Sequence, residues 1–241
     1  MKPQQPLISI IMPCGRNSKT ITSALVVLDA YFAKHSFSYE LILLPHTSSS
    51  YTKEVLHRFI SLIPHSHIQD IKGEHEGTAI QKGMLEARGL IRIYMTPASA
   101  SSIHVYEGIE QWFRKGYDIV VGSRISSTPS VKRVSFSERA FQWFMQHLLT
   151  PSVSDADGGW VAYSQKSATM LFPHTIARSA MIIRESIMLA HGQKLRVKEF
   201  FSPDNTTSAS RNLSSYIHGI YEALRIKLKL ITRSYSLKKI S

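Results

Sequence analysis

A single cysteine, Cys14, stands among the 241 residues. That excludes an internal disulfide framework and a four-cysteine zinc site, and it makes a reducing compartment the default expectation. Long apolar runs are missing as well. Leu7–Met12 falls far short of the roughly 18 residues that cross a bilayer. The opening Met1–Pro6 carries one lysine and leads into a strand-like segment, not a signal-peptide core, so the expectation is a cytoplasmic protein. Low-complexity tracts and fixed-period repeats are absent too. Acid is the scarce charge: 17 Asp and Glu face 29 Lys and Arg, for a formal net charge of +12. Such an excess favours polyanionic partners, with a solvated basic surface as the plain alternative. Specific nucleic-acid binding is not expected, because no helix-turn-helix, zinc-finger or aromatic-stacking strand pattern accompanies the charge.

What is present alternates between two periods. Apolar, β-branched runs at 7–12, 39–44, 68–71, 90–95 and 118–121 predict strands. Between them, apolar residues at helical spacing predict helices, among them Ile21, Leu25 and Leu28 after a capping Asn17 or Ser18, and Val55, Phe59 and Leu62 in the next. Further helices are expected over 78–88 and 103–115. Strand-helix alternation over this length predicts parallel β-α units in an open α/β sheet. Ligands of such sheets sit beyond the carboxyl ends of the strands, so the loops at Pro13, Pro45, Thr96 and Gly122 are expected to border one crevice. The second half predicts helices at 137–149, 165–172 and 178–191, a Gly-rich turn at Asp155–Trp160, and strands at 160–163 and 195–201.

Several segments, in this order, resemble family 2 glycosyltransferases, most closely the dolichyl- or polyprenyl-phosphate glucosyl- and mannosyltransferases. They are Ile8–Pro13, Tyr39–Ile42, Gly83–Gly89, Asp118–Arg124, Asp155–Trp160, Glu199–Phe201 and Ser210–Arg211. The resemblance implies a GT-A fold, a mixed sheet with flanking helices, over 1–210. It also implies a nucleotide-sugar donor, a lipid-phosphate acceptor and a Mg²⁺ or Mn²⁺ cofactor. The family's acids are replaced, however. Pro45 and His46 stand in the register of its nucleotide-holding aspartates, Thr96-Pro97-Ala98 in that of its metal-binding Asp-x-Asp, and Ile183 in that of its base aspartate, with Glu185 retaining the later acid. A bound divalent ion is anchored by carboxylates and supplies several kcal/mol, and each ~1.4 kcal/mol is tenfold in rate. The expectation is therefore no bound metal and a degenerate homologue that binds or scaffolds at a membrane surface. The alternative is an active, metal-independent transferase.

On this reading Pro13, His46 and Gly83 are candidate nucleotide contacts. Arg124, Arg133 and Arg139, with Lys132, are candidate phosphate ligands, since guanidinium forks match phosphate oxygens. Asp155 and Trp160 are candidate acceptor contacts, with Asp157 beside them, although an Asp in such a turn also serves the turn itself. His65, His67 and His75 lack the companions of a metal site and read as surface residues.

The tail, 211–241, is the remaining signal. Leu213, Ile217, Ile220, Leu224, Leu228, Ile231 and Tyr235 form one helical stripe. Seven Lys or Arg (211, 225, 227, 229, 233, 238, 239) accompany a single acid, Glu222. A basic amphipathic helix reads as a contact to an anionic membrane surface or lipid phosphate, which would place the protein peripherally at the inner face of a membrane. Packing of the stripe onto the domain is the competing reading.

Overall fold

The computed structural model describes residues 5–15, 17–45, 50–63, 65–69, 75–123, 136–150, 153, 155–156, 159–201 and 213–232. They form one seven-stranded sheet in the order β3-β2-β1-β4-β6-β5-β7. The strands are β1 (Ile8–Pro13), β2 (Tyr39–Leu44), β3 (Ser66–Ile68), β4 (Ile91–Met95), β5 (Ile119–Ser123), β6 (Trp160–Ser164) and β7 (Val197–Phe201). Strand β6 alone runs antiparallel to its neighbours β4 and β5; the other described pairings are parallel.

Each central strand is apolar on both faces because helices cover both. Alternation along the strand sorts its side chains. Ile8, Ile10 and Met12 of β1 point to one layer, with α1 (Ser18–Phe32), α2 (Ser50–Ile60), a 3₁₀ segment (Pro97–Val105) and α4 (Tyr106–Arg114). Ile11, Ile42 and Leu44 point to the other, with α3 (Glu76–Glu86), α5 (Phe136–Leu148), α6 (Gln165–Leu171), α7 (Met181–Gly192) and α8 (Leu213–Ile231). Asn17 caps α1 by accepting the Thr20 N–H at 3.2 Å, one of the orphan donors that every helix start exposes.

The strand predicted at 68–71 is observed at 66–68, and the helix predicted at 103–115 divides into the 3₁₀ segment and α4. A larger difference concerns the tail. Helix α8 does lie on the domain, yet through a face other than the predicted stripe. Ala223 and Ile226 are fully buried, Tyr216 packs on Phe141, and Gly219 approaches the same ring. The stripe from Leu213 to Ile231 is 36–75 % exposed and faces outward.

The end of the sheet opposite the crevice is clamped by polar groups. Glu40 accepts from the Ser9 hydroxyl, from the Arg88 N–H at 2.6 Å and from Arg88 Nε at 3.0 Å. Gly89 N–H donates to Ser9 Oγ at 2.7 Å. A Cβ at Gly89 would lie 2.5 Å from the Ser9 backbone nitrogen, so this position tolerates no side chain.

Candidate functional site

Strand order reverses direction between β1 and β4, where the connection from β1 leads to β2 on one side and that from β4 to β5 on the other. A crevice forms at such a switch point, beyond the carboxyl ends of the strands. It is bordered by Pro13–Gly15 after β1, Thr96 after β4, Gly159 before β6 and Ser123 at the end of β5. Pro13 and Pro45 are buried, closing the ends of β1 and β2, and the ladder extends past them through Cys14 N–H to Leu44 O at 2.9 Å.

The Thr96–Ser99 turn is held by a compact set of bonds. Thr96 N–H donates to Gly159 O at 2.8 Å, and Ser99 Oγ donates to the same carbonyl at 2.6 Å. Thr96 Oγ1 and Ser99 Oγ lie 3.1 Å apart. Gly159 has φ +92°, a left-handed conformation that glycine alone adopts readily, and a Cβ there would meet Ser99 Cβ at 2.8 Å. Thr96 thus opens the register in which the family resemblance implies metal-binding carboxylates, with Ser99 and the Gly159 carbonyl bonded to it. A divalent ion is ordinarily anchored by one or more carboxylates, and Thr96-Pro97-Ala98 supplies none. Among the described residues no three His, Cys, Asp or Glu side chains converge.

One carboxylate of β7 reaches the turn before β6: the Asp155 backbone N–H donates to Glu199 Oε1 at 3.2 Å. Asp155 is fully buried. Glu185 is consumed structurally. Its carboxylate accepts the Ile176 N–H at 2.9 Å and the Ala177 N–H at 2.8 Å, fixing the loop before α7. Ile183 sits in the apolar core at 2 % exposure, so no base operates from that position.

Gly83 packs closely: a Cβ would stand 3.0 Å from Ile11 and 3.3 Å from Leu44, so glycine lets α3 approach β1 and β2. Trp160, the candidate acceptor contact, is 1 % exposed and covers Gly122, where a Cβ would meet the indole at 2.1 Å. Its Nε1–H has no hydrogen-bond partner among the described residues. Arg139 is exposed on α5. His46, Arg124, Lys132, Arg133 and Asp157 lie outside the described residues.

Burial acts on the one cysteine too. It pushes the Cys14 thiol up to about 12, against a smaller opposing hydrogen bond from the Leu44 backbone, so the group stays protonated and unreactive. The Ser99–Gly159 bonding went unseen in the sequence, where Thr96-Pro97-Ala98-Ser99 reads only as a turn. So did the bond of Glu199, whose partner is 44 residues away.

No protein-family model matches the chain. It is 23% identical over 213 residues to a dolichyl-phosphate beta-glucosyltransferase of Trichomonas vaginalis, a match covering 82% of this chain and 63% of that protein. It is 26% identical over 150 residues to a dolichyl-phosphate beta-glucosyltransferase of Dictyostelium discoideum, covering 57% and 46%. The chain therefore spans less than two thirds of these curated relatives. Among solved structures, glucosyl-3-phosphoglycerate synthase from Mycobacterium tuberculosis, in complex with Mn²⁺, UDP and glucosyl-3-phosphoglycerate, aligns with TM-score 0.67 at 13% identity over 93% of this chain and 79% of that one. Mannosyl-3-phosphoglycerate synthase from Rubrobacter xylanophilus aligns with TM-score 0.65 at 16% identity, covering 98% and 78%. The chain is a glycosyltransferase-like protein of the GT-A fold, similar in sequence to the dolichyl-phosphate beta-glucosyltransferases.

Proposed function

We propose that the chain moves a hexose from a nucleoside-diphosphate sugar to a polyprenyl or dolichyl phosphate, without a metal held by the Asp-x-Asp register. One observation carries the reading. The crevice where β1, β4 and β5 end and β6 begins is bordered by the same segments through which the chain resembles such transferases, and that likeness extends over 82% of its length.

The chemistry fits the residues better than the missing acids first imply. A phosphate monoester has its second pKa near 6, so the acceptor oxygen is ionised at neutral pH and needs no base to remove a proton. It attacks the anomeric carbon, the bond from that carbon to the diphosphate oxygen breaks, and the nucleoside diphosphate leaves with the electron pair. Ile183 in the core is compatible with this step. Stabilising the leaving diphosphate is the harder requirement. Arg124, Arg133 and Arg139 are the groups proposed to supply the charge that an ion otherwise provides. The acceptor's lipid tail puts the reaction at a membrane surface. No helix among the described residues is long and apolar enough to cross one.

A second reading is favoured by a specific observation, the Thr96–Ser99–Gly159 bonding at the start of the metal register. In it the fold retains sugar-nucleotide binding and has lost transfer. Labelled UDP- and GDP-sugars incubated with polyprenyl phosphate, in Mn²⁺ and in EDTA, separate the two. Turnover that survives EDTA supports the metal-independent transferase. Turnover abolished by EDTA overturns the metal-independent part, and saturable binding without turnover establishes the second reading.

A further inference from the structure

A cavity of about 450 Å³ lies between the start of α3, the loop before α7 and α8. His75, Arg178, His218 and Arg225 bring basic groups to it from three separate elements. The acid in its wall, Glu222, is already committed: its carboxylate accepts the N–H groups of Arg178 and Ser179 and the Ser179 hydroxyl. Among the described residues, the Arg178 and Arg225 guanidiniums form no ion pair. Forked guanidinium donors at one cavity suit phosphate oxygens.

The cavity opens beside the outward face of α8. Successive helical residues turn by about 100°. That places Leu213, Ile217, Ile220, Leu224, Leu228 and Ile231 within an arc of about 80°, turned away from the buried Glu222 and Ile226. Lys227 borders one edge of this stripe. Tyr221, Arg225 and His218 border the other, and these three also line the cavity. An apolar strip flanked by cations matches the boundary between acyl chains and anionic headgroups, and the chain's net charge of +12 matches the same surface.

We propose that this cavity binds the phosphate of an anionic lipid headgroup while the α8 stripe rests in the membrane interface. The proposal deepens the membrane part of the reading above and rests on it for the choice of surface. It does not depend on sugar transfer, so a failed transfer assay and a failed lipid assay are distinct results.

Co-sedimentation of the full chain with phosphatidylcholine vesicles, with and without phosphatidylglycerol, is the test. Tight binding is expected to the anionic vesicles only. The R178Q/R225Q variant should lose about 25-fold in affinity, since each basic side chain at an anionic surface is worth about fivefold. K19Q/K34Q removes the same charge from α1 and the turn that follows it, on the far side of the sheet. It should lose less than about twofold, because those lysines lie beyond the screening length of about 10 Å. L224S/L228S should lose vesicle binding yet melt like the parent, and thermal melting of every variant checks that it folds. Equal losses in the two charge variants, or undiminished binding by R178Q/R225Q, overturn the proposal. So does saturable binding of soluble glycerol phosphate without vesicle binding, which makes the ligand a free phosphate. A dimer in sedimentation velocity that only L224S/L228S dissolves overturns it too, by assigning the stripe to a second copy.

Discussion

Gly122 lies directly beneath the indole of Trp160, so closely that a methyl group on it would stand 2.1 Å from the ring. The two belong to separate segments, the end of β5 and the start of β6, which run antiparallel as neighbours. One contact thus accounts for a glycine and an aromatic that look independent along the chain. Gly122→Ala is expected to destabilise the fold by about 3 kcal/mol, the upper part of the overpacking range, because neither the strand backbone nor the indole can yield. Urea unfolding of the variant measures this, and a loss under about 1 kcal/mol would show that the ring can move.

Glu40 gives a pH dependence. Burial works to raise its carboxyl, but hydrogen bonds from Ser9 and from the Arg88 backbone and guanidinium, with the Arg88 charge, outweigh it and hold the group below its usual value. The folded pKa is therefore depressed. Its stabilisation is present above the unfolded value of about 4.3 and is lost as pH falls through the folded one. Arg88 is 59% exposed, so solvent weakens the charge component and the hydrogen bonds dominate. Glu40→Gln is expected to cost about 1–3 kcal/mol at neutral pH and to flatten the fall in melting temperature below pH 5.

Cys14 is expected to resist thiol reagents at pH 8 in the folded protein and to react stoichiometrically in denaturant. With its thiol pushed up to about 12, the folded state holds a proton that the unfolded chain releases near 8.5. Its share of the stability is therefore complete below that value and declines as pH rises through it. Rapid labelling of the native protein at pH 8 would refute the buried placement.

The two faces of α8 should respond oppositely to mutation. Ile226→Ala empties a fully buried site and is expected to cost about 2–5 kcal/mol. Leu228→Ser, at a position 62% exposed, is expected to fall within about 0.5 kcal/mol. Thermal denaturation of the pair measures this. Equal losses would mean the helix is rotated from the orientation described.

Secondary structure was largely legible in the residues, because periods of two and near four report local geometry that each segment imposes on itself. Runs such as Ile8–Met12 and Tyr39–Leu44 announce buried strands, and the spacing of Ile21, Leu25 and Leu28 announces a helix. The parallel β-α units followed too, since strand-helix alternation dictates them. The exchange of acids for Thr96, Ala98 and Ile183 is likewise a matter of which residue stands where.

Which groups satisfy one another was decided only in three dimensions. Periodicity marked an apolar stripe on α8 and could not say which side the domain takes. Packing chose Tyr216, Gly219, Ala223 and Ile226, where small residues allow close approach to Phe141, and left the leucines outside. Nor could the residues alone show that Gly83 lets α3 close on Ile11 and Leu44, or that Trp160 covers Gly122. Glu199 met the Asp155 backbone, and Arg178 came to line one cavity with Arg225, across distances along the chain that no local pattern encodes. Local propensity is a property of consecutive residues, whereas burial and hydrogen-bond partnership depend on segments brought together by the whole sheet.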